Sequence, residues 1–315
     1  MDSTEHDVIR VLTWNLERDG GPDTAGQAPQ RWHEAHELIG SRRPDLLLRQ
    51  EMTHSRDNHH QRLHGAERAL GMRGFLGTAG LGRHPTGLFV REQAFQVRQH
   101  VIHQVHSWRT PPTHVVLRLR DAPGVDIIAI SWHLAFNSPR GREREADEIL
   151  GMANKTNRGA AFIGGGDCNE YPNQQGETVP PVDWDTVTDQ LHLTYRTNLD
   201  PATGRRTSST YLDDVLTAGG LCDPARHAAR NLPQPQPRAL DATAGHEEPG
   251  HGGPCRIDRI YLDPWLIDAV LEVTVLNADG LSDRQPVEVV LSRRRMAESL
   301  RQTTLRVSMN ASSRC

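Results

Sequence analysis

The chain has 315 residues, 36 Lys+Arg against 40 Asp+Glu, and a formal charge of −4. That length allows one large α/β unit or two domains, and it buries a full core without disulfide or metal staples. The slightly acidic balance excludes a global positive field for nucleic acid, leaving only a local basic groove, and six Trp, four Tyr and five Phe are too few for a single-strand stacking platform.

Lys155 is the single lysine, so nearly every basic residue is arginine, which reads as a GC-rich genome rather than selection for guanidinium chemistry. Met1 to Asp7 is polar and acidic, so no secretory signal is expected. No run approaches the roughly 18–20 apolar residues of a membrane span. Cys168, Cys222, Cys255 and Cys315 are far apart and form no CxxC pair. A soluble, reduced, cytoplasmic protein is the expectation.

In chain order, residues 8–16 (VIRVLTWNL) read as a strand and 32–39 as an amphipathic helix stopped by Gly40 and Pro44. Strands follow at 45–51, 88–90, 115–119 and 125–133, then a helix at 140–150. Ala161-Phe162-Ile163 leads into Gly164-Gly165-Gly166, and late strands are read at 256–262, 271–276 and 287–291. Residues 231–254 are rich in Pro, Gly, His and Ala without periodicity, and read as a long surface loop or lid. From 292 to 315 the chain reads as a polar, arginine-rich tail, partly disordered. One domain over 1–291 is expected.

Several of these strands end in polar residues: Asn15, Gln50-Glu51, His133 and Asp167-Cys168-Asn169. Asp258 sits within the strand at 256–262, and Ser282-Asp283 precedes the last strand. Strand ends along one sheet edge form a natural crevice. Three carboxylates with Asn and His give an oxygen-rich cluster suited to Mg2+ or Mn2+, whereas zinc would want more His and Cys at fixed spacing.

In this order, Asn15, Gln50-Glu51, His133-Leu134, Gly165-Gly166-Asp167-Cys168-Asn169, Ile257-Asp258 and Ser282-Asp283 resemble the endonuclease/exonuclease/phosphatase family over residues 8–291. The resemblance implies a four-layer α/β sandwich with two central, mostly antiparallel sheets flanked by helices, and a divalent-metal-dependent phosphoesterase using Mg2+ or Mn2+. It implies Glu51 as the main metal ligand, Asn15 at the phosphate or a metal-bound water, and Asp283 as a further metal-site carboxylate. Asp167 and Asn169 would position or activate the attacking water, and His133 would donate to the phosphoryl oxygens. The substrate class stays open between a phosphorylated small molecule, a lipid headgroup and nucleic acid.

One motif departs. The family pattern Ser-Asp-His, whose histidine is held by the carboxylate at Asp258, reads Ser282-Asp283-Arg284 here. Arginine, with a pKa above ~12, does not shuttle protons near neutrality, and Asp258 is its natural ion-pair partner. A general base contributes about 10²–10⁴-fold, so hydrolysis by the usual route should be weakened while metal binding survives. Three readings follow. Arg284 acts electrostatically while Asp167, His246 or His251 handles protons; or the protein binds metal or ligand without hydrolysis; or the scaffold serves other, specialised chemistry.

Other features read as structure. The glycine run lacks the Gly-Lys-Ser/Thr of a P-loop, and Cys168 reads as a small core residue. His33, His36, His54, His59, His60 and His64 read as solvated surface; Arg140, Arg142 and Arg144 read as a charged helix face or groove lining. Asp258 could pair with Arg256, Arg259 or Arg284, and Trp108 and Trp132 read as core or site wall.

Overall fold

The computed structural model describes residues 7–24, 26–78, 80–81, 84–154, 159–246 and 251–312. The first half contains β1 (Val8–Asn15), α1 (Gln30–Arg42), β2 (Leu46–Gln50), α2 (Asp57–Leu70), β3 (Arg73–Leu76), β4 (Gly87–Val90) and β5 (Phe95–Val101). Then come β6 (Thr113–Leu119), β7 (Ile127–His133), α3 (Pro139–Ala153), β8 (Ala161–Asp167), α4 (Gln190–Arg196) and a ribbon of β9 (Thr197–Leu199) with β10 (Arg206–Ser208). The chain closes with α5 (Tyr211–Ala218), α6 (Pro224–Arg230), β11 (Asp258–Leu262), α7 (Pro264–Ile267), β12 (Val270–Val275), β13 (Val287–Ser292) and α8 (Arg293–Ser312).

Two mixed sheets result. One has the order β12-β13-β1-β2-β4-β3 and the other β11-β8-β7-β6-β5. Each contains one parallel pair, β1 with β2 and β7 with β8, and is otherwise antiparallel. Strand alternation sets the layers. Ile9, Val11, Leu46 and Leu48 of the first sheet share a buried cluster with Ile127, Ala129, Ala161, Ile163 and Ile260 of the second. The alternate residues face outward: Leu12, Trp14 and Leu47 cluster with Trp32, Ile39 and Leu63 of α1 and α2. Ile128, Ile130, Trp132 and Phe162 cluster with Ile149 of α3 and Leu216 of α5. This is a four-layer α/β sandwich, as the resemblance implies.

The inward-facing rows turn polar at one end. Continuing the alternation past the apolar residues brings Thr13 and Asn15 on β1, Gln50 on β2, Ser131 and His133 on β7, and Asp167 on β8 to the same end of the sandwich. Register aligns them: Asn15 is opposite Gln50, His133 opposite Asp167, and Asp258 opposite Asp167. Gln50 ties the sheets together by donating to Ser131 Oγ at 3.1 Å, and Ser131 donates to the Arg49 carbonyl at 3.0 Å.

The glycine run is part of β8, because its neighbours leave no room for side chains. A Cβ at Gly164 would lie 2.6 Å from the Trp132 ring, and one at Gly165 would lie 2.7 Å from the Arg259 carbonyl. At Gly166, with φ +149°, it would lie 2.0 Å from the Trp132 carbonyl. The run therefore lets β8 sit closely between β7 and β11, which brings Asp167 beside His133 and Asp258.

Some sequence expectations change. The segment from Arg293, read as a polar tail, is a helix to Ser312, and Met296, Ala297 and Leu300 complete the inner core. These three apolar residues, spaced at helical intervals among arginines, were masked by the composition. The 231–254 segment is partly anchored, with Ala239, Leu240, Thr243 and Ala244 buried; residues 247–250 lie outside the described residues. His36 is buried against Trp32, its Nδ1 2.7 Å from the Trp32 carbonyl. Arg142 is buried as well, donating to the carbonyls of Ala135 and Tyr195. Trp108, Trp132 and Cys168 are core, as expected.

Replacing Gly166 with alanine should cost about 3 kcal/mol or more, through overpacking and a strained φ. Gly151→Ala, at an exposed helical position with nothing within 4 Å, should be neutral or stabilise by about 0.5–1 kcal/mol. Urea unfolding of both variants checks the contrast; equal effects would contradict the close approach at β8.

Candidate active site

Two non-glycine residues just beyond strand ends adopt left-handed backbone: Glu51 (φ 56°) after β2 and Asn169 (φ 50°) after β8. Such conformations persist only where surroundings over-determine them. For Glu51 the support is a buried charge cluster. Asp19, itself left-handed at φ 54°, accepts from Arg49 Nη2 at 3.2 Å through Oδ1 and from Ser55 Oγ at 3.1 Å through Oδ2. Arg62 Nη1 donates to the Asp19 carbonyl at 2.7 Å. Asp19 thus clamps the loop after β1 to the loop after β2, and the adjacent Arg18 N–H donates to Glu51 Oε2 at 2.9 Å.

Asn15 joins the two sheets. Its Nδ2 donates to Glu51 Oε1 at 3.2 Å and to Asp167 Oδ2 at 3.1 Å. Asp167 Oδ1 accepts the Asn169 backbone N–H at 2.8 Å. Asn169 Nδ2 donates to the Leu134 carbonyl at 2.9 Å, and its Oδ1 accepts from Arg196 Nη2 at 2.7 Å. His133 Nε2 lies 4.0 Å from Glu51 Oε1 and 3.8 Å from Asp167 Oδ2.

Arg284 enters this group from the loop before β13. The Trp14 indole donates to its carbonyl at 3.0 Å, and its own N–H donates to Ser282 Oγ at 3.2 Å. Its guanidinium donates to Asp283 Oδ2 and lies 3.4 Å from Asp167 Oδ2. Asp258 Oδ2 is 3.7 Å from Arg284 Nε and accepts instead from Thr243 Oγ1 at 2.9 Å. The expected Arg284–Asp258 pairing is therefore the weaker part of a contact with three carboxylates. Arg256 pairs with Glu177 and Asp223, and Arg259 donates to the Glu170 carbonyl, so neither partners Asp258.

Charge is partitioned among these acids. Burial opposes ionisation of Asp167, but Arg284 and His133 outweigh it and hold its carboxyl below the ordinary range. Burial and the neighbouring Asp167 charge push Asp258 well above that range. Glu51 is held low despite burial by His133, the Arg18 N–H and Asn15. Burial raises Asp283, with Glu51 and Asp167 adding to it against Arg284. Arg284 is held more firmly protonated by the three carboxylates, in spite of its burial. Burial pushes the Cys168 thiol up to about 12 and the Cys255 thiol up to about 11, so neither is a ready nucleophile.

The donor set is compatible with a hard cation. Asn15 Oδ1 is buried with no hydrogen-bond donor among the described residues, while Nδ2 of the same amide donates to Glu51. No three His, Cys, Asp or Glu side chains form a metal-holding group among the described residues. A site with one or two protein oxygens and several waters is the manner of Mg2+.

These residues open into a cleft of about 660 Å³, lined among others by Glu51, His133, Asn169, Arg196, Asp283 and Arg284. His251 lines it, stacked on His192 with ring centroids 4.4 Å apart, whereas His246 lines a separate cavity with Arg238. Reading the sequence missed Arg18, Asp19, His84, Arg109 and Arg196. None stands in a recognisable motif, and each reaches this region through a loop or a short helix.

The chain matches no family model and no curated protein. Solved structures do match. An endonuclease/exonuclease/phosphatase family protein from Bacteroides thetaiotaomicron is 16% identical over 90% of this chain and 97% of its own, with a TM-score of 0.55. An AP endonuclease from Archaeoglobus fulgidus is 13% identical over 90% and 99%, at 0.59. The 3′ phosphatase NExo from Neisseria, bound to a product DNA hairpin, is 15% identical over 89% and 98%, at 0.58. The chain thus has the fold of the endonuclease/exonuclease/phosphatase proteins. No helix among the described residues is long and apolar enough to cross a membrane.

Two outcomes are expected. Asp19→Ala, which strands Arg49 as a buried unpaired cation, should cost about 3–5 kcal/mol in urea unfolding; a loss below about 1 kcal/mol would contradict the clamp. Because Glu51 is held below its ordinary value of 4.5, its charged form stabilises the fold above that pH and loses this contribution as pH falls through the lower folded value. In chelator, the stability advantage of wild type over Glu51→Gln should therefore shrink between pH 7 and pH 3. An advantage that grew on acidification would reverse the sign.

Proposed function

We propose that this chain is a divalent-metal-dependent phosphoester hydrolase, using Mg2+ or Mn2+ on a phosphorylated small molecule or nucleic acid. The observation that carries the reading is the Asn15 amide. Two carboxylates from opposite sheets fix its Nδ2, and its buried Oδ1 has no donor among the described residues. Glu51 and Asn15 Oδ1 would hold the ion, with Asp283 alongside. When bound, the ion supplies Lewis-acid stabilisation of charge on the phosphoryl oxygens.

The remaining work falls to side chains. Asp167, kept charged and oriented by the Asn169 N–H, accepts a hydrogen bond from the attacking water and takes its proton as the water oxygen bonds to phosphorus, and that proton returns through solvent to the leaving oxygen as the ester P–O bond breaks. Asn169, held by Leu134 and Arg196, fixes the water's approach. His133 donates to a phosphoryl oxygen as negative charge builds. Arg284 is a permanent charge rather than a proton carrier, and its contribution is electrostatic stabilisation of the same oxygens.

A second reading has an observation of its own. Arg284 already engages Asp167, Asp258 and Asp283, so the cleft carries an internal cation where the family pattern has a titratable side chain. A protein that binds metal or ligand without turnover would look the same.

Phosphate release from mono- and diester probes in Mn2+, with chelator controls, separates the two. Hydrolysis predicts metal-dependent turnover that falls roughly 10²-fold or more in Glu51→Ala and in Arg284→Ala. Tight Mn2+ binding without turnover, and no gain from Arg284→His, favours the second reading. Turnover that appears only in Arg284→His would identify the arginine as what redirects the scaffold.

A further inference from the structure

The cleft that Glu51 and Asp283 line also pairs a cation with an aromatic ring. The Arg109 guanidinium lies over the Phe136 ring at 4.7 Å, and both residues line the cleft. Phe136 is 45% exposed, although most large apolar side chains of the chain are buried. Arg109 is partly buried and has no carboxylate within ion-pair distance among the described residues.

The wall is built from below. Glu145, buried on α3, accepts the Arg109 backbone N–H through Oε1 and the Ala135 backbone N–H through Oε2, both at 2.8 Å. One side chain thus fixes two segments from different loops, holding Arg109 and the residue preceding Phe136 at a set spacing. Burial raises the Glu145 pKa against those two N–H bonds, so positioning them costs desolvation.

A stacked guanidinium is oriented by the ring and keeps its in-plane N–H groups available for an oxyanion. The floor already carries its own acids, with Arg284 engaged by three of them. Arg109 has no such carboxylate partner among the described residues and lines the same cleft. Its charge is complementary to an anionic group on the ligand other than the one at the floor. A cleft of about 660 Å³ is within the 300–1,000 Å³ range for small-molecule sites.

We propose that Arg109, seated on Phe136, is a specificity-determining residue that binds a second anionic group of a small phosphoester whose reacting phosphate lies at the Glu51–His133–Asn169 part of the same cleft. The substrate class is then a compound carrying two anionic groups, such as a bisphosphate, rather than an ester with one anionic group. This rests on the hydrolase reading for the floor, but the recognition of the second group has a readout independent of turnover.

The test compares adenosine 3′-phosphate with adenosine 3′,5′-bisphosphate, probes that share a scaffold and differ by one phosphate. Calorimetry is done on wild type and Arg109→Gln, and kinetics in Mn2+ are run beside it. Wild type should bind the bisphosphate at least tenfold more tightly than the monophosphate. Arg109→Gln should remove that preference while leaving monophosphate binding unchanged, and Arg109→Lys should restore part of it. In turnover, the loss should appear as a raised KM for the bisphosphate at constant kcat. Equal weakening of both probes would mark Arg109 as merely structural and overturn the proposal, as would absence of any bisphosphate preference in wild type. If neither probe is hydrolysed but the Arg109-dependent preference is present, the hydrolase reading fails for these probes and the subsite stands.

Discussion

The site depends on one amide. Asn15 ends β1 on its inward face, and its Nδ2 is shared between Glu51 of its own sheet's edge and Asp167 of the facing sheet. Only the Arg284 guanidinium, among the side chains described here, also bonds carboxylates from both layers, Asp283 and Asp167. Because strands alternate, the same end of the inner layer also collects Gln50, Ser131 and His133, where the apolar rows of the core stop. The polar end of the sandwich is thus a consequence of where each strand's hydrophobic alternation ends. The glycine run of β8 allows that end to close, since a side chain at Gly166 would displace the β7 backbone beside His133.

Electrostatics then decide what this end does. Four acids converge, and the protein does not leave them equal: Asp167 and Glu51 are held charged, while Asp258 is pushed toward its neutral form. Arg284 is what makes the distribution stable, supplying a buried positive charge among carboxylates that would otherwise repel. A histidine there would be a proton carrier whose charge depends on pH. The arginine is a fixed counter-charge that does not titrate near neutrality.

Much of this was legible in the sequence. Asn15, Glu51, His133, Asp167, Asn169 and Asp258 follow or interrupt strand-like runs and Asp283 precedes one, an order that carries the family resemblance, while Arg284 stands out as the departure from its last motif. The four layers were legible through the resemblance, and the apolar runs of β2, β7 and β11 are buried on both faces as such layers require. What was not legible came from elements without periodicity. Asp19 and Arg49 look like surface charges until the loops after β1 and β2 fold over them. Arg109 and Phe136 belong to separate loops joined through Glu145 and through their own cation–ring contact, and α8 hides three core residues among arginines. The pairing of Arg284 was half legible: its charge demanded an acid, but only the folded geometry shows that Asp283 and Asp167 are bonded more closely than Asp258.

The central claim is that the Asn15–Glu51 end of the inner layer is a divalent cation site within reach of a fixed arginine. Anomalous scattering from a crystal soaked in Mn2+ tests it most directly. The account predicts a single peak at coordination distance from a Glu51 carboxylate oxygen and Asn15 Oδ1, with Arg284 still on Asp283 and Asp167. A cleft without a peak, and with the Arg284 guanidinium turned onto Glu51, would contradict it.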